Sequence, residues 1–109
     1  HDPHQWLHEQ LALTAEQDDK LVPIEEKFAS RKKELEAEIM AANHTLAAAI
    51  NEDGNYSPRV KEAAEKIHKA QGELQEATLE HLFEMHNVLT PPQRKKLNSL
   101  TTDALTHNP

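Results

Sequence analysis

This 109-residue sequence contains two pairs of potential metal ligands, and the two members of each pair are four residues apart. His4 and His8 form the first pair, and His81 and Met85 form the second. A spacing of four residues places both members of a pair on one face of a helix, where they can reach the same cation. Imidazole and thioether groups are ligands for transition metals. The spacing therefore predicts a metal site, provided that helices carry both pairs.

Four helices are predicted to position these side chains. Aromatic residues make up only 4% of the chain and glycine occurs twice, a composition typical of long helices and not of sheets. A short first helix is predicted over residues 3–12, and Thr14 caps a second that begins near Ala15. Turn residues then separate the second helix, ending near Asn51, from a third that begins with Ser57-Pro58, and Thr90-Pro91 begins a fourth.

Apolar residues recur at helical spacing along the predicted elements, and this pattern predicts which faces are buried. The second and third helices have matching stripes, which indicate an antiparallel hairpin with a short helix hooked onto each end. A bend is expected at Pro23. The residues predicted on the inward faces are Trp6, Leu7 and Leu11; Leu21, Ile24, Phe28, Leu35, Ile39, Ala42, Leu46 and Ala49; Val60, Ala63, Ile67, Ala70, Leu74, Ala77, His81, Met85 and Val88; and Leu97, Leu100, Ala104 and Leu105.

The register of the hairpin brings a carboxylate to the second ligand pair. Residue numbers of partners in the two long helices should sum to about 108, because both helices rise equally per residue. Glu25 then lies between the levels of His81 and Met85. The first helix folds back near Leu13, so that His4 and His8 approach the same end of the hairpin. Five donors, His4, His8, Glu25, His81 and Met85, are thus predicted to converge.

This donor set indicates the class of metal. Three imidazoles, a thioether and a carboxylate that binds through both oxygens give a six-coordinate site, which suits Ni(II) or Co(II) better than tetrahedral structural zinc. The donors do not rank nickel against cobalt, and Zn(II) is a competing ion that can bind without the sulfur. Five protein ligands leave no open position for a substrate, which argues against an enzyme.

Each donor also has an ordinary structural interpretation. A histidine pair is common on a surface when a chain holds 8 histidines, a methionine on an apolar stripe usually fills a core, and a glutamate on a charged helix is usually solvated. Metal binding is favoured because the register brings the donors together and because His81 interrupts an apolar face, where burying an imidazole costs free energy. The other histidines, His1, His44, His68, His86 and His107, are interpreted as surface residues, with His86 and Glu26 as substitutes if the register shifts by one.

Charge and hydropathy exclude several classes of protein. The net charge of -7, from 19 acidic and 12 basic residues, would repel nucleic acid. No apolar run approaches the roughly 20 residues needed to cross a bilayer. We expect one domain over residues 1–109. Because the chain starts at His1 and not at a methionine, we also expect that a preceding segment, which could serve as an anchor, has been removed.

The motifs resemble a known family. His4-x3-His8, Leu-Thr-x-x-Gln, Glu25-x2-Phe28 and the segment 77–85, Ala-Thr-Leu-x-His-x-Phe-Glu-Met, resemble periplasmic sensor domains of the CnrX/NccX type from bacterial nickel and cobalt resistance. The two Leu-Thr-x-x-Gln segments also resemble the wider class of periplasmic stress proteins that includes CpxP, Spy and ZraP. As capping boxes, these segments have a structural explanation and need no functional one.

The resemblance implies a periplasmic homodimer whose parent is anchored in the inner membrane. It implies the same five ligands and signalling through a membrane-bound anti-sigma factor to efflux genes. Pro23 and His86 depart from the family pattern. Two alternatives stay open: a Spy/CpxP-like chaperone that holds unfolded clients, and a zinc-binding stress protein that stores several ions.

Overall fold

The computed structural model describes residues 3–107, with side chains from Gln5 onward. This part of the chain contains helices and no strand. The all-helical prediction is therefore confirmed, and each predicted helix is present. The helices are α1 (Pro3–Leu11), α2 (Ala15–Asp53), α3 (Pro58–His86) and α4 (Pro91–His107).

The chain divides into two compact units. The first combines the chain up to Glu25 with the chain from Leu82 onward, and the second consists of Glu26–His81. The first unit therefore holds α1, α4 and one end of each long helix, whereas the second holds the hairpin of α2 and α3. That all 109 residues form a single domain stays a prediction.

The turn of the hairpin follows the expected local chemistry. Gly54 has a φ of 64°, a left-handed conformation that glycine adopts at no steric cost, and its N–H donates to Ile50 O at 3.0 Å. Ser57 Oγ accepts a hydrogen bond from Val60 N at 3.3 Å and caps α3, with Pro58 at its first position. These contacts end α2 and begin α3 within five residues of chain.

Small and branched residues hold the hairpin together. Leu35 and Ala49 on α2 are fully shielded from solvent, and Val60 and Ala63 on α3 are buried. Every predicted stripe residue of α2 and α3 is buried or half-buried, so the pattern of three and four residues is confirmed. Arg31 adds a polar link between these helices, because its Nη2 lies 3.1 Å from Glu73 Oε2.

The core of the first unit is built from leucines and one methionine. α1 supplies Leu11, the connection to α2 supplies Leu13, and α4 supplies Leu97. These residues pack with others from the ends of α2 and α3, and burial of this apolar surface is the main force that holds the short helices in place. The complete buried set is Leu11, Leu13, Leu21, Met85, Leu89 and Leu97, with Leu7, Ile24, Leu82 and Val88 packed against it.

Three residues predicted to make apolar contacts are instead exposed. Trp6 is 41% exposed. The buried side of α1 is the one that carries Leu7 and Leu11, and Trp6 points away from that side. On α4, Ala104 is exposed and Leu105 is 65% exposed. The core of the first unit uses Leu97 near the start of α4 and no residue from its last two turns, so the end of the predicted stripe lies outside this core.

Both Leu-Thr-x-x-Gln segments form the predicted capping boxes. Thr14 Oγ1 accepts from Gln17 N at 3.1 Å while Gln17 Oε1 accepts from Thr14 N at 3.0 Å. The corresponding distances at Thr90 and Gln93 are 3.4 Å and 2.9 Å.

Within residues 3–107, no helix has the length and apolarity required of a membrane span.

Candidate metal centre

His81 stacks on an aromatic ring from the opposite helix of the hairpin. The ring centroids of Phe28 and His81 lie 4.4 Å apart and the ring planes differ by 8°. Both side chains are half-buried, and Nδ1 of the imidazole is shielded from solvent. His81 therefore faces α2, as predicted, and the stack lies within one residue of the predicted register.

Met85 is part of the apolar core of the first unit. It is 6% exposed and belongs to the same cluster as Leu11 and Leu13, which end α1 and lead into α2. The structure thus gives Met85 the packing role that its position on an apolar stripe also allows. A thioether in this core lies among the residues that hold the end of α1.

His8 lies in the last turn of α1 and contacts a carboxylate of α2. Its Nδ1 is 3.3 Å from Asp18 Oδ1, and both side chains are little more than one-third exposed. Asp18 lies in the first turn of α2. Reasoning from the sequence did not single out Asp18, although the short connection between α1 and α2 brings the first turn of one helix near the last turn of the other.

Hydrogen bonds to the backbone fix the end of α1 that carries His8. Leu13 N donates to His8 O and Ala12 N donates to Glu9 O, each at 3.3 Å, and Ala12 adopts a φ of 51°. This pair of bonds around a left-handed residue is the Schellman arrangement. Gln93 Nε2 of α4 donates to Leu11 O at 3.1 Å. The last turn of α1 is thus attached to the connection that follows it and to α4.

Glu25 and His4 are the remaining predicted ligands. Glu25 lies half-buried on α2, at the end of the first unit. His4 lies in the first turn of α1, but its side chain is outside the described residues. The predicted position of its imidazole therefore stays a prediction.

The predicted donors come from both units. His8, Glu25 and Met85 belong to the first unit and His81 to the second. In the described part of the chain, no three side chains of histidine, aspartate or glutamate form a group that could hold a metal ion. His8, Glu25 and His81 therefore do not form such a group by themselves. The predicted set also includes the thioether of Met85 and His4, whose side chain lies outside the described residues. In chemistry, the imidazoles, carboxylate and thioether fit nickel or cobalt, while their convergence stays a prediction.

The other histidines were interpreted as surface residues. His44, His68 and His107 are exposed, which confirms that interpretation for these three, whereas His1 lies outside the described residues. His86, considered as a substitute ligand, is half-buried and its Nε2 lies 2.9 Å from Asn98 Oδ1. The ring of Phe83 meets it edge-on at a centroid distance of 5.2 Å. His86 therefore serves the contact between α3 and α4, and Glu26, the other substitute, is exposed.

Comparison with known proteins gives two matches. A family model described as heavy-metal resistance matches residues 1–96. The nickel and cobalt resistance protein CnrR of Cupriavidus metallidurans is 40% identical over 104 residues, which cover 95% of this chain and 70% of that protein.

Proposed function

The chain belongs to the heavy-metal resistance family, and on that premise we propose that it is the metal-sensing domain of a nickel and cobalt resistance system. Metal resistance is the role that the family and the related protein support. The observation that carries the finer proposal is the 40% identity, over 95% of this chain, to a protein named for nickel and cobalt resistance. The predicted donor set independently favours the same two metals.

The proposed ligands are His4, His8, Glu25, His81 and Met85. Two contacts described above support their assignment. The stack on Phe28 holds the imidazole of His81 in one plane, which reduces the conformational entropy that metal binding would cost. Met85 is packed in a core that includes the end of α1. These donors would bind Ni(II) or Co(II), the ion that the domain senses, and Zn(II) would compete for the same site.

The proposed activity is binding and not catalysis. Bound metal would hold α1, α2 and α3 in one arrangement, since the five ligands come from these three helices. The C-terminal end of α1 is already attached through Leu11 and the bond from Gln93. We therefore assign the metal-dependent change to the first turns of α1, which carry His4. An ion shifts such an equilibrium only through its different affinity for the two arrangements.

The location and partners of the domain are part of the proposal. We propose that it acts in the periplasm as a homodimer and that its parent is anchored in the inner membrane. Its metal-bound form would act on a membrane-bound anti-sigma factor, which then releases a sigma factor for efflux genes. These steps rest on the resemblance of the motifs to CnrX/NccX-type sensors.

Isothermal titration with nickel, cobalt, zinc and copper tests the proposal. We expect one nickel or cobalt ion per chain, and His81→Ala should weaken nickel binding by more than the roughly 10- to 100-fold that loss of an outer-shell partner costs, because a direct ligand is removed. His68→Ala is a matched control because His68 is an exposed histidine of the same helix. Unchanged nickel affinity in His81→Ala would refute the site.

Thermal unfolding with and without metal separates the sensor from its rivals. A ligand that binds the folded state raises its stability according to its concentration and affinity, so nickel should raise the melting temperature of the wild type more than that of His81→Ala. A chaperone would instead suppress aggregation of a model client in the absence of metal. A zinc-storage protein would take up several zinc ions per chain.

A further inference from the structure

We propose that Asp18 is a positioning residue for the metal site, holding the ring of His8 so that its Nε2 is the atom presented to the metal. This inference rests on the proposed function, because it assigns a role to a neighbour of one proposed ligand. Asp18 is not one of the five proposed ligands, and the sequence pattern did not identify it as a functional residue.

The contact itself determines which ring nitrogen is engaged. Asp18 Oδ1 lies 3.3 Å from Nδ1 of His8, and the side chains come from different helices, α1 and α2. An ionised carboxylate has only acceptor atoms, so the hydrogen of this contact must be on Nδ1. In a neutral imidazole the other nitrogen, Nε2, then carries the lone pair. That nitrogen is the one able to bind a metal.

Backbone hydrogen bonds and buried leucines bring the two side chains together. His8 O accepts the bond from Leu13 N that closes the end of α1. Asp18 N donates to Thr14 O at 2.9 Å in the first turn of α2. Leu11 and Leu13, which lie between the two residues in the chain, are both buried in the core of the first unit. The fold of α1 and α2 therefore holds the carboxylate beside the ring.

A carboxylate in this position has two consequences for a histidine ligand. It fixes the tautomer and the orientation of the ring, and it increases the electron density that Nε2 can donate to a cation. Removing such a partner typically weakens metal binding by about 10- to 100-fold. Asp18 would act without touching the metal, because its oxygen is bound on the opposite side of the ring.

The neighbouring Asp19 provides a matched control. It is exposed and directly follows Asp18 on α2, so Asp19→Asn removes the same charge from the same end of the helix. Asp18→Asn removes the charge but keeps an oxygen that can accept from Nδ1, whereas Asp18→Ala removes both. The three variants thus separate the effect of net charge, the effect of a charged acceptor and the effect of any acceptor.

Two measurements test the proposal. The first is the tautomer of His8 in metal-free protein, read from its ring ¹⁵N shifts at a neutral to slightly alkaline pH. We expect the Nδ1–H form in wild type and Asp19→Asn, and a change toward Nε2–H, the form that a solvated histidine side chain favours in water, in Asp18→Ala. The second is nickel titration, in which Asp18→Ala should bind about 10- to 100-fold more weakly, Asp18→Asn should fall between, and Asp19→Asn should match the wild type.

Each outcome gives a decision. If His8 is Nε2–H in the wild type, or if Asp18→Ala and Asp19→Asn have the same nickel affinity, Asp18 does not position the ligand, although the sensor can still be correct. If the wild type binds no nickel, the proposed function and this inference both fail. Chemical denaturation of each variant shows whether a change in affinity merely follows a loss of folded protein.

Discussion

The side-chain amides of Gln17 and Gln93 hydrogen-bond each other in both directions. Gln17 Nε2 donates to Gln93 Oε1 at 2.6 Å, and Gln93 Nε2 donates to Gln17 Oε1 at 3.1 Å. Gln17 belongs to the capping box of α2 and Gln93 to that of α4, so the two boxes meet face to face. The interpretation of these segments as capping boxes was therefore correct but incomplete.

Each amide also binds the end of another helix. Gln17 Nε2 donates to Val88 O, just beyond α3, and Gln93 Nε2 donates to Leu11 O of α1, both at 3.1 Å. With the bonds to Thr14 N and Thr90 N, each glutamine uses both N–H donors, and its oxygen accepts twice. The pair thus attaches four helix ends to one another, including the end of α1 near His8.

We predict that Gln93→Ala lowers the free energy of unfolding by about 1 to 3 kcal/mol, because it leaves partly buried partners without their hydrogen bonds. Urea denaturation measures this loss. Gln71→Ala, at an exposed glutamine of α3, is the control and should change stability by less than about 0.5 kcal/mol. In a double-mutant cycle, Gln17→Ala and Gln93→Ala should show a coupling of at least about 0.5 kcal/mol. Additive losses would mean that the mutual bonds contribute nothing beyond the two separate caps.

We predict that Ala12→Gly stabilises the protein by about 0.5 to 1 kcal/mol. Ala12 has a φ of 51°, a conformation that costs an L-residue roughly 1 to 2 kcal/mol and glycine almost nothing. The greater entropy of glycine in the unfolded chain offsets part of the gain. Ala29→Gly on the exposed side of α2 should instead destabilise by about 1 kcal/mol. Equal losses of stability in both variants would contradict the left-handed assignment.

Replacing Phe28 tests the stack on His81. We predict that Phe28→Leu loses about 0.5 to 1.5 kcal/mol of stability, the range for an aromatic pair, and weakens nickel binding several-fold because the imidazole is less constrained. Phe83→Leu is the matched control, since Phe83 is 60% exposed and its ring meets His86 instead. Denaturation and nickel titration of both variants give the comparison. An unchanged nickel affinity in Phe28→Leu would mean that the stack serves packing alone.

Met85→Leu separates the sulfur from the packing. A leucine of similar volume should keep stability within about 1.5 kcal/mol of the wild type, whereas Met85→Ala should lose about 2 to 5 kcal/mol by leaving a cavity. Loss of the thioether should weaken nickel binding and affect zinc less, because zinc can do without sulfur. Met40→Leu, at a methionine that is 60% exposed, should leave both affinities unchanged. Nickel binding by Met85→Leu at wild-type strength would remove Met85 from the ligand set.

The helices and their buried faces were predictable because the signals that specify them are local. Thr14, Ser57 and Thr90 cap the helices that follow them, and Gly54 ends α2. Apolar residues at intervals of three and four decide which side of α2 and α3 is buried. The helix α2 even continues through Pro23 as predicted, while the bend expected there stays a prediction.

What only the tertiary structure decided are the contacts between side chains far apart in the chain. Three such features depend on how the short helices pack: the pairing of Gln17 with Gln93, the approach of Asp18 to His8 and the exposure of Trp6. Helical periodicity carries no information on the angle at which one helix packs on another. The sequence placed His81 opposite α2 because equal rise per residue fixes the register of a hairpin. It could not specify that the ring would lie flat on Phe28, since rotamers are selected by the packing of all their neighbours at once.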